Sequence, residues 1–250
     1  MQEPRRPRFF IPAGDPASAS SFREGRRLIL PETEAHHAAH VLRLKVGDAI
    51  ELFDGSGGSA SASVAAVKHG AVAVEIRQVY RRAERPAPVI RLAFAVPKGN
   101  RLDWLLEKAA ELGVAALAPI RFERSVAGTG ELSSAKRRRW LGHCIAAAKQ
   151  AGLDFLPAIE DLRTLDEFLA AAQRPGIYGD LSEHAKPIAG VLKGHAPSIS
   201  IVVGPEGGLT DEERQALDAA GFVPVRLGHT TLRIETAAVA LTAAVIAWHA

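Results

Sequence analysis

Residues 203–210 read Val-Gly-Pro-Glu-Gly-Gly-Leu-Thr. An apolar run at residues 199–203 leads into this stretch, and Thr210 with Glu213 forms a capping-box pair after it, so we predict a strand, a tight loop and a helix. Three glycines around a proline make a stiff loop whose backbone can approach a ligand closely. In open α/β folds, such loops at the carboxyl edge of a parallel sheet bind ligands. The alternative is a purely structural turn between the strand and the helix.

Strands and helices alternate on both sides of this loop, from residue 89 to the last residues of the sequence. Apolar runs predict four strands, at residues 91–96, 114–118, 199–203 and 223–227. Amphipathic spacing predicts four helices, at residues 100–112, 134–150, 210–220 and 235–248. Asn100 is expected to cap the first of these helices. This alternation is typical of an α/β fold with a parallel sheet.

The first third of the chain has a different pattern. Short runs with strand-like alternation predict five strands, at residues 8–11, 27–30, 49–53, 59–67 and 71–79, with one helix at residues 31–42. Residues 81–88 are polar, contain two prolines and lack periodicity, so we interpret them as a linker. We therefore expect two domains, at residues 1–80 and 89–250.

The composition is ordinary for a soluble globular chain of 250 residues, with 47% hydrophobic and 24% charged residues. The single cysteine, Cys144, excludes an intrachain disulfide and suits a reducing compartment. The start of the sequence is basic and lacks an apolar core, and the most apolar stretch, at residues 236–248, is shorter than the ~20 residues of a membrane span. We therefore expect a cytoplasmic protein without membrane contact.

The net charge of +3 is unevenly distributed. Residues 1–88 hold 13 Lys and Arg against 10 Asp and Glu, and the rest of the chain is balanced. An excess in the first third would suit a surface that contacts phosphate. The alternative is ordinary scatter, because an excess of three charges is small for a nucleic-acid-binding domain.

A second loop, at residues 227–236, also joins a predicted strand to a predicted helix. Arg233 in this loop can hold an anion or the polar edge of a base. Alternatively, Arg233 pairs with Glu235, or Glu235 complements the dipole at the start of the last helix.

Four further observations concern other classes of ligand. Residues 54–60, Asp-Gly-Ser-Gly-Gly-Ser-Ala, match a loose dinucleotide pattern, but strand-like alternation follows them, so we predict a hairpin turn. His36, His37 and His40 lack a carboxylate or cysteine at metal-ligand spacing, so no metal is expected. The loop at residues 203–210 lacks the Gly-Lys-Ser/Thr of a P-loop. The basic run at residues 136–139 is either a solvated helix face or a phosphate contact.

Several segments together resemble the RsmE family, bacterial 16S rRNA uridine-N3 methyltransferases of the SPOUT class. The resemblance covers nearly the whole chain in the same order. In the first third it rests on Arg8-Phe-Phe10, His37-Ala-Ala-His-Val-Leu-Arg43, Gly47-Asp48 and Leu52-Phe-Asp-Gly55. Farther along it rests on Lys98-Gly99, Glu107-Lys-Ala-Ala-Glu-Leu-Gly113, Pro119 and Glu123-Arg124. The most specific motifs are Gly204-Pro-Glu-Gly-Gly208, Leu227-Gly228, Leu232-Arg233 and Glu235-Thr-Ala237.

The resemblance implies a PUA-like β-barrel domain that binds RNA, followed by a SPOUT α/β domain with a trefoil knot. It also implies a homodimer that acts on the 16S rRNA of the 30S subunit, with S-adenosylmethionine as cofactor and no metal. The residues that it implies for cofactor binding are Gly179, Gly204, Pro205, Glu206, Gly207, Gly208, Leu227, Gly228 and Leu232.

The same resemblance suggests how the reaction proceeds. Uridine N3 would attack the sulfonium methyl group, and Arg233 would stabilise the uracil anion. Glu235 would orient that arginine or act as the base. The residues expected to contact RNA are Arg8, His37, Arg43, Arg81, Arg82, Arg124 and Gln150.

The sequence departs from the family pattern in two places. Members commonly carry Glu-Gln-(Ser/Cys)-Gly-Arg where this chain reads Lys149-Gln-Ala-Gly-Leu153. In the second loop, Thr230 stands where members carry an arginine and Ile234 where they carry a threonine. The intact glycine-rich loop favours an active methyltransferase. The departures favour the other hypothesis, an RNA- or ribosome-binding protein of the same fold with an altered target or lost catalysis.

Overall fold

The computed structural model describes residues 6–12, 22–126, 130–172, 175–192 and 196–249. The chain packs into two compact units. The first unit comprises Met1–Arg85 together with Ala148–Leu156, and the second comprises Pro86–Ala147 together with Pro157–Ala250. The predicted linker at residues 81–88 contains the boundary between Arg85 and Pro86. The return of residues 148–156 to the first unit was not expected from the sequence.

The first unit is built on a five-stranded sheet in the order β1-β3-β4-β5-β2. Its elements are β1 (Arg8–Phe10), β2 (Arg27–Ile29), α1 (Glu32–His36), a π-helical turn (His37–Val41), β3 (Ala49–Phe53), β4 (Gly58–Lys68) and β5 (Ala71–Arg81). The β1 strand runs parallel to β3, and the other pairs are antiparallel. All five predicted strands are present. The predicted helix changes to π geometry at His37, where the Leu42 N–H donates to the His37 carbonyl oxygen at 3.0 Å.

The glycine-rich stretch after β3 is a turn, as predicted. The Asp54 carboxylate accepts the backbone N–H groups of Ser56 at 2.7 Å and Gly58 at 2.9 Å. Gly57 has φ +97°, and a Cβ there would lie 2.5 Å from the Arg82 carbonyl oxygen, so the turn requires glycine. Alternate residues of β4 are buried, which is strand packing and not the helix of a dinucleotide site.

Residues 148–156 close onto this turn within the first unit. The Gly57 N–H donates to the Asp154 carbonyl oxygen at 3.0 Å, and the Leu156 N–H donates to Gly55 at 2.9 Å. These backbone bonds make the segment part of the first unit's framework.

The second unit is an eight-stranded parallel sheet in the order β11-β13-β10-β12-β6-β7-β8, with β9 also paired to β7. Its strands are β6 (Val89–Ala95), β7 (Ala116–Arg121), β8 (Ala158–Ile159), β9 (Arg163–Thr164), β10 (Gly176–Gly179), β11 (Lys186–Pro187), β12 (Ser198–Val203) and β13 (Phe222–Arg226). Its helices are α2 (Asn100–Glu111), α3 (Ser134–Ala151), which ends in the first unit, α4 (Leu165–Ala170), α5 (Ile188–Val191), α6 (Asp211–Ala219) and α7 (Ile234–His249). The four strands and four helices predicted for this region are present, and the sheet is parallel as expected.

Two features of the helices concern the predictions. The α2 helix has Gly99 as its N-cap, with φ +62° and no side-chain capping bond, so the expected capping role of Asn100 is wrong because Asn100 is already helical. The apolar α7 helix packs against α2, β6 and β12. In the described parts of the chain, no helix is both long enough and apolar enough to cross a membrane.

Candidate active site

The carboxyl ends of three neighbouring strands of the second unit surround a cavity of about 550 Å³. The strands are β10, β12 and β13, which lie in the order β13-β10-β12. The ends of these strands and the loops that follow them supply most of the wall, with residues from the segments 179–182, 203–209 and 225–234. The two loops singled out in the sequence therefore border the same cavity, at the edge of the sheet where parallel α/β folds bind ligands.

The glycine-rich loop is held in place by Arg124. The Arg124 Nη1 donates to the carbonyl oxygens of Gly207 at 3.1 Å and Leu209 at 3.4 Å. A Cβ on Gly207 would lie 3.3 Å from the Arg124 Cβ, so Gly207 faces this arginine and does not line the cavity. Arg124 is therefore bonded to the loop although its side chain is exposed, and Gly207 is not among the wall residues. The expected RNA contact of Arg124 and the expected cofactor contact of Gly207 stay predictions. The other loop residues expected at the cofactor do line the wall: Gly204, Pro205, Glu206 and Gly208.

The start of α6 fixes the other end of this loop. Thr210 accepts the Glu213 N–H and Glu213 accepts the Thr210 N–H, which is the predicted capping box. The second carboxylate oxygen of Glu213 accepts the Glu123 N–H at 2.8 Å. The loop is thus held by side chains on both flanks, so its shape is set before any ligand binds.

Asp180 lies in the loop near residues 178–181, which the family resemblance implies for cofactor binding, but the residue itself was not singled out in the sequence. It follows β10 and lines the cavity, and its side chain is only 10% exposed. Its carboxylate accepts the Leu181 N–H at 2.9 Å and the Ser182 hydroxyl at 2.6 Å, and Arg214 Nε lies 3.5 Å away. An acidic residue immediately after a strand was the available signal, but β10 itself was not predicted. Asp180 gives the cavity a fixed acceptor for hydroxyl or ammonium groups.

Leu227 and Leu232 form an apolar lip on the cavity. Both line it, with 39% and 37% of their surfaces exposed. Gly228, which was also expected at the cofactor, lies beside Leu227 on the same wall. A ligand that covers these exposed leucine side chains removes apolar surface from water, which favours binding.

The two residues expected to be catalytic lie next to the cavity but do not line it. Arg233 is exposed between Leu232 and Ile234, which both line the wall. Glu235 is 6% exposed in the first turn of α7, and its Oε2 has no hydrogen-bond partner among the described residues. No ion pair joins Arg233 to Glu235 in the part of the chain that the structure describes. Glu235 is therefore placed to complement the dipole of α7.

The remaining residues expected to contact RNA differ in exposure. Arg8 is only 6% exposed. Its guanidinium donates to Asp154 at 2.5 Å and lies 4.8 Å from the Phe53 ring centre, so it cannot be a free phosphate contact. His37 is half-buried, with its ring 6.1 Å from that of Phe9. The exposed members of the set are Arg43, Arg81, Arg82 and Gln150.

Two histidines of the first unit lie side by side. The rings of His36 and His40 lie 4.9 Å apart. Across residues 6–12, 22–126, 130–172, 175–192 and 196–249, no cluster of His, Cys, Asp and Glu side chains could hold a metal ion.

Comparisons of the chain with known proteins identify its family. A model of the RNA methyltransferase domain matches residues 83–246, and a model of the RNA methyltransferase PUA domain matches residues 30–77. The chain is 30% identical over 216 residues to the ribosomal RNA small subunit methyltransferase E of Bacillus subtilis, covering 82% of this chain and 83% of that protein. The chain belongs to the ribosomal RNA small subunit methyltransferase E family.

Two solved structures extend this family assignment to the fold. One is a ribosomal RNA small subunit methyltransferase E from Neisseria gonorrhoeae bound to S-adenosyl methionine, with a TM-score of 0.83, 30% identity and 96% of each chain covered. The other is a Legionella pneumophila protein in complex with SAM, with a TM-score of 0.85, 31% identity, and 97% of this chain and 98% of that chain covered. This member of the methyltransferase E family is thus an α/β protein with a PUA-type domain and a methyltransferase domain.

The structure gives a physical setting to the departures from the family pattern. Lys149 pairs with buried Glu34, with its Nζ at 2.6 Å from each carboxylate oxygen. Ala151 and Leu153 lie in the segment that returns to the first unit. In this methyltransferase E family member, Thr230 and Ile234 both line the wall of the cavity. Because Thr230 stands where members commonly carry an arginine, the mouth of the cavity lacks that cation. The lysine at position 149 has Glu34 as its ion-pair partner, whereas the threonine at position 230 changes the wall of the cavity.

Proposed function

We propose that this protein methylates N3 of a specific uridine in the 16S rRNA of the small ribosomal subunit, with S-adenosylmethionine as the methyl donor. The observation that carries the proposal is the cavity at the ends of β10, β12 and β13. It stands in a chain of the methyltransferase E family, and the Neisseria member of that family was solved with the same donor. This combination favours catalysis over the alternative of a binding protein.

The residues of the cavity fit S-adenosylmethionine. Its adenine ring needs an apolar cover, which Leu227 and Leu232 can provide. Gly204 and Gly208 leave backbone groups free of side chains on the opposite loop. Asp180 supplies an acceptor for the ribose hydroxyls or the ammonium group. When bound, S-adenosylmethionine supplies an electrophilic methyl group on a positively charged sulfur.

The protein's own residues then have to manage the proton that uridine N3 carries at neutral pH. We assign to Arg233 the stabilisation of the negative charge that develops on the uracil O2 or O4 when this proton leaves to solvent. Arg233 is exposed and its chain neighbours both line the cavity, so its guanidinium can reach a base placed at the mouth. A target base in this position has to be unstacked from the RNA.

Glu235 is proposed as a positioning residue and not as the base. A base has to reach the proton that it removes. Glu235 is 6% exposed and does not line the cavity, whereas it lies in the first turn of α7, directly after the loop that carries Arg233. Its carboxylate is suited to anchor the start of α7 and thereby the position of Arg233.

Finer features of the fold and assembly are part of the proposal. We propose that the first unit closes as a PUA-like barrel and that the three loops of the cavity belong to a trefoil knot of the SPOUT class, which the convergence of three chain segments on one cavity supports. We also propose domains at residues 1–80 and 89–250, a homodimer, the 30S particle as the substrate and a cytoplasmic location, in keeping with the family assignment. Arg43, Arg81 and Arg82 are the proposed phosphate contacts of the first unit, because they are exposed.

The test is methyl transfer from labelled S-adenosylmethionine to 30S subunits isolated from a strain that lacks this protein. Nucleoside analysis of the product should give 3-methyluridine, and naked 16S rRNA assayed in parallel identifies the substrate form. Labelled RNA without 3-methyluridine would overturn the assignment of uridine N3. No transfer, with S-adenosylmethionine still binding by calorimetry, would overturn catalysis and favour the binding-protein alternative.

A further inference from the structure

A second, smaller cavity of about 280 Å³ lies at the carboxyl ends of β6 and β7, in the second unit. Its walls come from the segment after β6, the first turn of α2 and the start of α3. The family reaction assigned above does not use it. It does contain part of the basic run at residues 136–139, for which the sequence left open a solvated face or a phosphate contact.

The structure divides that basic run between different surroundings. Lys136 and Arg139 line the cavity together with Lys98. Arg137 instead bonds to the Ile159 carbonyl oxygen and the Asp161 carboxylate, and Arg138 is exposed away from the cavity wall. Three cations from two distant segments therefore meet on one cavity, which a merely solvated helix face does not require.

Two of these cations are free to bind an anion. Lys98 and Lys136 are both exposed, and neither enters an ion pair found among the described residues. Arg139 is paired with Asp103, and Asp103 also lies 3.3 Å from the His143 ring. Arg139 and His143 thus occupy the Asp103 carboxylate, and among the described residues no carboxylate pairs with either lysine.

The rest of the wall is apolar. It includes Leu102, Leu132, Leu162 and Trp140, whose buried ring lies 6.5 Å from that of Phe94. An apolar wall next to unneutralised lysines matches one nucleotide of a single strand, because a base packs on apolar surface while its phosphate pairs with cations.

The position of this cavity relates it to the methyl-donor cavity. The β6 and β12 strands are adjacent and parallel, so the two cavities open on the same edge of the sheet. Arg101, in the first turn of α2, pairs with Glu206 of the glycine-rich loop at 3.1 Å. This ion pair links the start of α2, which contributes Leu102 to the second cavity, to the glycine-rich loop that lines the first. An RNA strand placed at one cavity can therefore continue to the other.

We infer that the second cavity binds a nucleotide of the substrate RNA next to the target uridine, with its phosphate on Lys98 and Lys136 and its base against the apolar wall. This inference rests on the proposed function, since it assumes that RNA reaches this edge of the sheet. It deepens that function by naming a substrate-binding site separate from the reacting atoms.

The test compares Lys136→Ala with Arg138→Ala, two exposed positions on the same helix, of which only Lys136 lines the cavity. Binding of fluorescently labelled 16S rRNA is titrated over a range of salt concentrations. Lys136→Ala should weaken binding and lower the slope of log K against log salt by about one, and Lys98→Ala with Lys136→Ala by about two. Arg138→Ala should leave the slope unchanged, and all variants should bind S-adenosylmethionine like the wild type.

The outcomes separate this inference from the proposed function. Equal slopes for Lys136→Ala and Arg138→Ala, or an unchanged slope for the double variant, would overturn the nucleotide site even if methyl transfer is intact. If the wild type transfers no methyl group, the proposed function fails, yet a slope lowered only by Lys98 and Lys136 substitutions still supports the RNA site. If transfer is intact, the double variant should raise the KM for 30S subunits and leave kcat unchanged.

Discussion

The Nζ of Lys149 lies 2.6 Å from each carboxylate oxygen of Glu34. The Glu34 side chain is 9% exposed, and the ammonium group also stands 5.7 Å from the Phe9 ring centre. A carboxylate so far removed from water requires a cation beside it. The lysine at this position, where family members commonly carry a glutamate, is therefore part of the packing of the first unit.

Replacing this cation tests that relationship. Lys149→Glu would place a second carboxylate beside Glu34, and we expect the free energy of unfolding to fall by about 3 kcal/mol, measured by urea denaturation. Arg138→Glu, an exposed charge reversal on the same helix, should change it by less than about 0.5 kcal/mol. The exchange Glu34→Lys with Lys149→Glu should recover part of the loss. If Lys149→Glu and Arg138→Glu lower the free energy of unfolding equally, the Lys149–Glu34 pair does not stabilise the fold.

Arg233→Ala should separate catalysis from donor binding. Removing the guanidinium leaves the uracil anion without its stabilising charge, so kcat for methyl transfer should fall by about 100-fold to 1000-fold. Arg233 does not line the donor cavity, so the Kd for S-adenosylmethionine should stay at the wild-type value by calorimetry. His229→Ala, an exposed change in the same loop, is the control. A wild-type rate for Arg233→Ala would exclude the proposed role.

The apolar lip can be tested by shortening one of its side chains. Leu232→Ala removes surface that bound S-adenosylmethionine would cover, and we expect its Kd to rise by about tenfold. Val126→Ala, which shortens an exposed apolar side chain away from the cavity, should leave the Kd unchanged. If both variants bind equally well, Leu232 does not cover the donor.

Cys144 offers a test of burial that depends on pH. Burial in the apolar face of α3 raises the pKa of the thiol from 9.0 to about 12. Because the folded pKa lies above the unfolded one, this group's contribution to stability is complete below pH 9 and is lost as the pH rises toward 12. At pH 8, iodoacetamide should modify the native protein at least about 1000-fold more slowly than the urea-unfolded protein, measured by mass spectrometry. Comparable rates would contradict the burial.

Local signals in the sequence predicted most of the second unit. The β12 strand, the glycine loop and the capping box of Thr210 each depend on residues within a few positions, so their pattern could be read directly. The β10 strand was missed because its apolar residues, Ile177 and Tyr178, form a run of two between glycines. The loop after it therefore entered only through the family resemblance, and Asp180 was overlooked.

Side-chain roles that depend on distant partners could not be read in this way. Arg8 and Arg124 look like free cations in the sequence, but Asp154 and the carbonyl oxygens of the glycine loop occupy them in the fold. Whether an arginine meets RNA or a buried acceptor is decided by residues far along the chain. For the same reason, the sequence could not show which residues of the basic run 136–139 line the second cavity and which bond elsewhere.

The return of Ala148–Leu156 to the first unit affects the order in which the protein can mature during synthesis. Its final framework bonds, from Gly57 to Asp154 and from Leu156 to Gly55, join residues about 100 positions apart. The amino-terminal unit therefore cannot complete its fold when its own continuous sequence leaves the ribosome. It has to wait until much of the second unit has been translated. A fragment ending at the apparent linker would lack the backbone partners of the turn at Gly55 and Gly57, and Arg8 would keep Glu51 but lose Asp154.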